Sequence, residues 1–178
     1  YVVTKEDNSL YIIDLLTKKV KSKIFLGAEA YTCVLSPDKR HLYISCWGCD
    51  KVIMFDTKIE FILKDIPVGD NPNEICMTKN GKYLFVANAN DNSVSVINTR
   101  EYKVIETLNA ALFPAAPPGS TSNGLALSTD EKILYVANAD NNCLAVFDVA
   151  KPGFSHSEGF IPVGWYPTNV KVIGKKIF

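Results

Sequence analysis

The sequence lacks an excess of charge of either sign. Its 178 residues include 19 lysines and arginines and 19 aspartates and glutamates, so the formal net charge is zero. Nucleic acids and anionic membranes attract proteins largely through an excess of positive charge. No apolar run approaches the roughly 20 residues of a membrane-spanning helix either. We therefore expect no nucleic-acid partner and no transmembrane segment.

The sequence also has few of the residues that carry catalysis. Its only histidines are His41 and His156, and neither lies beside a nucleophile. Gly-x-Ser-x-Gly, His-Glu-x-x-His, Walker and dinucleotide-binding motifs are all missing. We therefore predict no catalytic residue, no cofactor and no metal site for this chain by itself.

The five cysteines are an odd number at irregular spacing, which does not suit a disulfide framework. Cys46 and Cys49 form a single Cys-x-x-Cys in a predicted hairpin turn. A thioredoxin-type redox pair begins a helix, and a structural zinc site needs four ligands. An unreactive turn pair is favoured, with a local disulfide and then a metal site as the alternatives.

What the sequence does contain is a repeat. Copies of one pattern begin at Tyr1, Tyr43, Phe85, Tyr135 and Phe178, so that successive copies lie 42, 42, 50 and 43 residues apart. The third copy reads FVANANDNSVSVIN and the fourth YVANADNNCLAVFD. Periods of this size, built from short apolar strands, are typical of a radial β-repeat.

Each repeat predicts four strands. In the third unit a tight turn with Gly81 follows the first strand, and asparagine-rich segments separate the others. The middle strands are apolar at nearly every position, as expected for a sheet that is covered on both faces. The predicted strands of this unit are 73–78, 82–87, 93–98 and 102–108.

Four-stranded sheets packed face to face against copies of themselves form a β-propeller, so the fold class is all-β. We predict one domain over residues 1–178, made of four-stranded antiparallel blades, about four of which are present. A closed four-bladed ring and an arc of a larger ring both fit, and we favour an arc of a seven-bladed ring with two bare faces that promote self-association. The predicted units are 1–28, 29–69, 70–119 and 120–164, with the start of another blade at 165–178.

The repeat resembles the YVTN family of bacterial β-propellers. Its consensus contains Leu-Tyr-Val-Ala-Asn followed by Asn and by Val-ϕ-Asp, where ϕ is apolar, and it recurs in phase over essentially the whole chain. The first unit departs most, with Thr4-Lys5-Glu6 where other units carry Asn or Cys.

A narrower resemblance rests on Ala116–Ser128 and Gly159–Thr168. These segments are similar to the N-terminal propeller of proteins in which YVTN repeats precede an alkaline-phosphatase-superfamily phosphoesterase domain. The resemblance implies a seven-bladed ring in an exported protein, periplasmic or extracellular. The phosphoesterase residues would lie downstream, so none is assigned here.

The predicted blades have an acidic face, where the hairpins between second and third strands meet the connections between blades. It carries acidic side chains at 6, 7, 29, 50, 70, 91 and 140, against only Lys5 and Lys51. The opposite face, here the lysine face, collects most of the lysines. Polar turns that serve solubility explain this distribution, and a polarised ring facing a partner is the alternative.

Candidate binding residues lie on the acidic face, since loops on a rigid scaffold are frequent recognition sites. The long connection Asn109–Thr121 is unusually apolar, and an aromatic pair occupies the next connection. Both could instead cap blade junctions. The first-strand positions at the channel mouth are rich in asparagine and include one carboxylate. The predicted ligand or partner contacts are Trp165, Tyr166, Phe113, Trp47, Tyr31, Asn73, Glu74, Asn123 and Asn169.

The preferred function is a non-catalytic binding or scaffolding module. Its partner would be a protein, including its own phosphoesterase domain, or a glycan or small molecule bound on the loop face. The alternative is a lactonase- or isomerase-like enzyme acting on a small carbohydrate-derived substrate. That chemistry needs several ionisable side chains in the channel, and only Glu74 and Lys171 qualify. Redox or haem-linked roles lack an evident ligand.

Overall fold

The computed structural model describes residues 1–113 and 116–178, so Pro114 and Ala115 of the long connection lie outside the described part. The described residues form strands and turns, and none of them is α-helical. They also contain no helix with the length and hydropathy that crossing a membrane would require.

The strands form four consecutive antiparallel sheets and one short hairpin. The first sheet has three strands: β1 (Val2–Thr4), β2 (Ser9–Asp14) and β3 (Lys19–Phe25). The second has β4 (Ala30–Leu35), β5 (His41–Cys46), β6 (Lys51–Asp56) and β7 (Phe61–Pro67). The third has β8 (Pro72–Met77), β9 (Tyr83–Asn88), β10 (Ser93–Asn98) and β11 (Lys103–Asn109). The fourth has β12 (Ser122–Leu127), β13 (Ile133–Asn138), β14 (Cys143–Asp148) and β15 (His156–Pro162).

The remaining strands, β16 (Val172–Ile173) and β17 (Lys176–Ile177), pair with each other. Each sheet is a simple meander in chain order, as in a propeller blade. The innermost strands β4, β8 and β12 pack side by side, so that the blades converge along one edge. The all-β propeller architecture is confirmed, and it is consistent with an arc of a seven-bladed ring. The four predicted strands of the third unit match β8 to β11 within one residue.

Successive side chains of the second strands enter two different cores. Tyr43 packs between the second and third sheets, whereas its neighbour Ile44 packs between the first and second. In the third sheet, Leu84 packs against the second sheet and its neighbour Phe85 packs against the fourth. Because side chains alternate along a strand, a sheet covered on both faces needs apolar residues at consecutive positions.

Tyr135 shows where this pattern ends. The in-phase repeat makes it equivalent to Tyr43 and Phe85 and predicts the same burial, but it is only partly buried. It lies on the outer face of the fourth sheet, where a small cluster around Ala137, Leu144 and Val170 replaces a full neighbouring blade. The expectation of equal burial was therefore wrong for this position.

The turns repeat as regularly as the strands. One residue of each hairpin between the second and third blade strands has positive φ: Asn8, Asp50, Asn92 and Asn142. The carbonyl oxygen of this residue accepts a hydrogen bond from the backbone N–H of the residue that follows the outermost strand of the same sheet. The N···O distances are 2.7–2.9 Å in all four sheets. Asn and Asp tolerate left-handed backbone, which accounts for their occurrence in these hairpins.

We predict that Phe85→Ala destabilises the chain by about 3–5 kcal/mol, because Phe85 is fully buried in the core between the third and fourth sheets. Phe61→Ala is the matched control, since that side chain is 63% exposed. Denaturant melts of both variants provide the comparison. A loss of less than about 1 kcal/mol for Phe85→Ala would show that the core has been misassigned.

We also predict that the chain self-associates through its bare first sheet. Val2 and Ile13 lie on the face of that sheet opposite Leu10 and Ile12, which pack on the second sheet, and both are substantially exposed. Sedimentation velocity should show association that Val2→Asp with Ile13→Asp weakens. Leu15→Asp with Ile59→Asp, at exposed turn positions, should leave it unchanged. A wild-type chain that stays monomeric at all concentrations would refute the prediction.

Candidate functional site

The channel mouth is built from the first residues of the innermost strands. The second residues of β4, β8 and β12 are Tyr31, Asn73 and Asn123, respectively. Each strand has a register shift at this point against the next strand of its sheet. Such β-bulges redirect side chains and are common next to active sites. Here they place equivalent residues of three blades at one end of the convergent edge.

Two of these side chains are joined across blades. The Asn73 Nδ2 donates a hydrogen bond of 3.0 Å to the Asn123 Oδ1, and the Tyr31 hydroxyl lies 3.5 Å from the same oxygen. The structure thus brings Tyr31, Asn73 and Asn123 together, as a common location at the channel mouth predicts. We call these three residues the amide cluster.

The amide cluster has an unmet hydrogen-bond acceptor. Asn73 is 5% exposed, and its Oδ1 is buried without a hydrogen-bond partner among the described residues. Most buried polar atoms in proteins have a partner. A water molecule, or a ligand hydroxyl that reaches this oxygen after a small side-chain movement, would supply the missing donor.

Glu74, the next residue of the same bulge, is half-buried. Burial raises the pKa of its carboxyl group above the ordinary value of 4.5, while the Ile75 backbone N–H and the positive charge of Lys171 act in the opposite direction. Burial, and to a smaller degree the charge of Glu74, raises the pKa of Tyr31. The mouth thus combines a carboxylate that holds its proton more tightly than usual with a phenol that remains a hydrogen-bond donor.

Glu74 borders a cleft of about 460 Å³ that is lined mainly by β12 of the fourth sheet and by residues 169–173. Leu125 and Leu127 form part of its wall, and Asn169 and Lys171 lie on the far side. Lys171 is held in place because its backbone exchanges two hydrogen bonds of 2.9 Å with Phe178. The cleft is therefore lined by a carboxylate, an amide and a lysine together with apolar side chains.

The predicted aromatic contacts do not join this cluster. Trp165 is 90% exposed, and Phe113 and Tyr166 are also exposed. Trp47 is half-buried, with the Lys5 Nζ 4.3 Å from its ring centroid. No hydrogen bond or ring contact among the described residues links these four side chains to the amide cluster. They lie on the acidic-face loops, outside the channel mouth.

The long connection between the third and fourth sheets is attached by Asn92. The Asn92 Nδ2 donates to the Pro117 carbonyl at 2.8 Å, and its Oδ1 accepts from the backbone N–H groups of Gly119 and Ser120 at 3.0 and 2.6 Å. One hairpin residue thus fixes the return of the loop to β12. The 50-residue spacing of this repeat reflects an anchored loop on an otherwise regular blade.

Cys46 and Cys49 are both free thiols, as are the other three cysteines. Cys46 is buried, and burial raises its pKa to about 12, whereas Cys49 is exposed. A thiol with so high a pKa forms little thiolate and is a poor nucleophile or metal ligand. The structure therefore agrees with an unreactive turn pair.

A family model described as "Lactonase, 7-bladed beta-propeller" matches residues 28–171. Among curated proteins, Antigen Lp49 of Leptospira interrogans is 41% identical over 46 residues, which is 26% of this chain and 10% of that protein. The chain therefore spans about a tenth of this relative.

Solved structures share the fold at low identity. A candidate 6-phosphogluconolactonase from Bacteroides uniformis superposes with a TM-score of 0.78 at 18% identity, over 95% of this chain and 56% of that one. The dihydro-heme d1 dehydrogenase NirN superposes with a TM-score of 0.73 at 18% identity, over 93% of this chain and 35% of that one. At such identities the superpositions establish the fold alone.

These findings change the preference between the two functional hypotheses. The family match favours the enzyme alternative over the non-catalytic binding module that the residue pattern favoured. The β-propeller is confirmed, while the YVTN assignment, the downstream phosphoesterase domain and the exported location stay predictions.

We predict that Gly124→Ala destabilises the chain and displaces Asn169 from the mouth. A Cβ at Gly124 would lie 2.6 Å from the Asn169 Cα and 3.1 Å from the Val170 backbone nitrogen. Overpacking of this kind costs about 1–3 kcal/mol. Gly164→Ala is the control, because a Cβ added at Gly164 would have no neighbour within 4 Å among the described residues. Equal denaturant midpoints for the two variants would contradict the close approach.

Proposed function

The chain belongs to the seven-bladed β-propeller lactonase family, and we propose on that basis that it forms part of the substrate channel of an enzyme that opens small carbohydrate-derived lactones. Since the chain spans 56% of the candidate lactonase it superposes on, the activity of the whole ring is part of the proposal. The substrate would bind at the channel mouth, between the amide cluster and the cleft beside Glu74.

The observation that carries the proposal is the pairing of an orphan acceptor with a partly buried carboxyl group. The Asn73 Oδ1 needs a donor, and sugar-derived lactones present several hydroxyl groups. Glu74 is adjacent in the same bulge, with a pKa above its usual value. A raised pKa makes its carboxylate a stronger base than an ordinary glutamate, which suits general base catalysis near neutral pH.

The chemistry required is modest. The Glu74 carboxylate takes a proton from a water molecule, and the water oxygen forms a bond to the lactone carbonyl carbon. The tetrahedral intermediate then breaks its bond to the ring oxygen, which receives the proton from Glu74. One water is consumed, the hydroxy acid is formed and Glu74 returns to its starting state. The positive charge of Lys171 suits the negative charge of the product.

A binding role for the exposed aromatic residues is the second candidate. Trp165 is 90% exposed at a loop tip, and exposed aromatic anchors frequently dominate interfaces. This candidate retains a protein or glycan partner on the acidic-face loops. It makes a different prediction, because it does not involve Glu74.

We predict that Glu74→Gln lowers lactone hydrolysis by about 100-fold or more, the usual contribution of a general base. Substrate binding should remain, since glutamine keeps the shape of the side chain. Glu29→Gln is the control, because Glu29 lies on the acidic face and pairs with Lys5 at 3.5 Å. The measurements are acid release from gluconolactone and its 6-phosphate, and calorimetric binding of gluconate.

The pH dependence adds a second readout. Because Glu74 must be deprotonated to act as a base, and its pKa is raised, the rate should fall in acid at a pH above that of an ordinary glutamate. Loss of this acid limb in Glu74→Gln would support the assignment. Unchanged hydrolysis in Glu74→Gln would overturn it. Loss of binding in Trp165→Ala with Tyr166→Ala, with Glu74→Gln unaffected, would instead establish the second candidate.

A further inference from the structure

A second group of ligating side chains lies on the outer edge of the fourth sheet. One donor atom each from Asp148, His156 and Glu158 lies within 4.8 Å of the other two. The His156 Nε2 is 2.8 Å from the Glu158 Oε1. Zinc bound tetrahedrally at about 2.0–2.2 Å from nitrogen and oxygen ligands places those ligand atoms about 3.3–3.6 Å apart. Small side-chain rotations would therefore bring all three onto one ion.

The backbone explains why these residues meet. Asp148 and His156 are directly opposite each other across β14 and β15. Glu158 is the extra residue of a bulge, since Ser157 pairs with Phe147 and Gly159 with Val146. Side chains two residues apart on a strand lie on the same face, and the bulge changes the local spacing, so that Glu158 lies beside His156.

The other three sheets provide an internal comparison. Each has the same bulge in its outer strand, so equivalent positions can be read directly from the pairing. The residues matching Asp148, His156 and Glu158 are Asp14, Lys19 and Lys21 in the first sheet, Asp56, Phe61 and Leu63 in the second, and Asn98, Lys103 and Ile105 in the third. Only the fourth sheet carries three possible metal ligands at these positions.

Asp148 retains an oxygen for a ligand. Its Oδ1 accepts a hydrogen bond of 2.8 Å from the Ala150 backbone N–H, as its counterparts do in the other sheets. In the second sheet the other oxygen of Asp56 meets the Arg40 Nε at 3.6 Å. In the fourth sheet the equivalent Lys132 is directed to Asp130 instead, at 3.8 Å. No lysine or arginine among the described residues forms an ion pair with Asp148, so its second oxygen has no competing cation.

The strand that carries the cluster is anchored independently of it. The turn before β15 has seven residues, 149–155, where the corresponding turns of the other sheets have four. Glu106, on the outer strand of the third sheet, accepts hydrogen bonds of 2.8 Å from the Gly153 and Ser155 backbone N–H groups. It also accepts one of 2.7 Å from the Ser155 hydroxyl. The residue before His156 is therefore fixed to the neighbouring blade.

We propose that Asp148, His156 and Glu158 bind a divalent transition-metal ion on the outer edge of the fourth sheet. One imidazole and two carboxylates suit zinc, cobalt or nickel better than magnesium or calcium, which prefer oxygen ligands alone. Three protein ligands at an exposed edge leave at least one coordination position open to water or to a side chain of a partner. The site is separate from the channel mouth and does not depend on lactonase activity.

The test is zinc binding by isothermal titration and by NMR of the histidine side chains. Wild-type chain and a Cys49→Ser variant are both titrated with zinc chloride, so that the exposed thiol cannot account for the signal. His156→Gln and Glu158→Gln should each weaken binding at least about tenfold. His41→Gln is the matched control, because the sequence has only these two histidines. Circular dichroism verifies that each variant folds.

The NMR readout identifies the ligand atom. Zinc should shift the His156 imidazole signals and leave those of His41 in place. Cobalt substitution should give visible absorption bands that disappear in His156→Gln. The proposal is overturned if zinc binding is equal in wild type, His156→Gln and Glu158→Gln, or if Cys49→Ser abolishes it.

Discussion

The packing of each sheet between two others is the constraint on which the rest of the structure depends. A blade in this arrangement has no solvent-facing side, so neighbouring residues such as Leu84 and Phe85 must both be apolar and must enter different cores. The same requirement leaves the outer faces of the first and last sheets incompletely covered. Charged residues lie mainly at the two ends of the blades and on their outer edges, and both candidate sites lie there.

The channel mouth follows from this restriction. Innermost strands have little room for side chains, as the close approach of Gly124 to Asn169 shows. At the start of these strands the bulges interrupt the regular alternation, and the side chains of Tyr31, Asn73 and Asn123 meet, with Glu74 adjacent to Asn73. Burial then has two effects: it leaves the Asn73 Oδ1 without a partner and raises the pKa of Glu74. A hydroxyl-rich substrate would donate a hydrogen bond to the Asn73 Oδ1, and Glu74 would act on it as a general base.

Much of the fold could be predicted from the sequence, because the repeat is in phase and each of its strands has a plain apolar pattern. The left-handed hairpin residues, such as Asn92, could also be predicted from their type. Tyr135 could not, since its burial depends on what covers the fourth sheet. Repeat position predicted that Tyr31, Asn73 and Asn123 lie close together, whereas the hydrogen bond between Asn73 and Asn123 depends on β-bulges that the residue types do not predict. The aromatic residues Trp165 and Phe113 were grouped with the mouth by side of the ring alone. The cluster at His156 was missed because its members come from two strands and a bulge.

The most direct test of the channel mouth is a crystal structure of the chain soaked with gluconate. We expect a ligand hydroxyl within hydrogen-bond distance of the Asn73 Oδ1, with the carboxylate end of the ligand near Lys171 and Glu74 in contact. Gluconate bound only at the acidic-face loops around Trp165, or only on the lysine face, would contradict the proposed site.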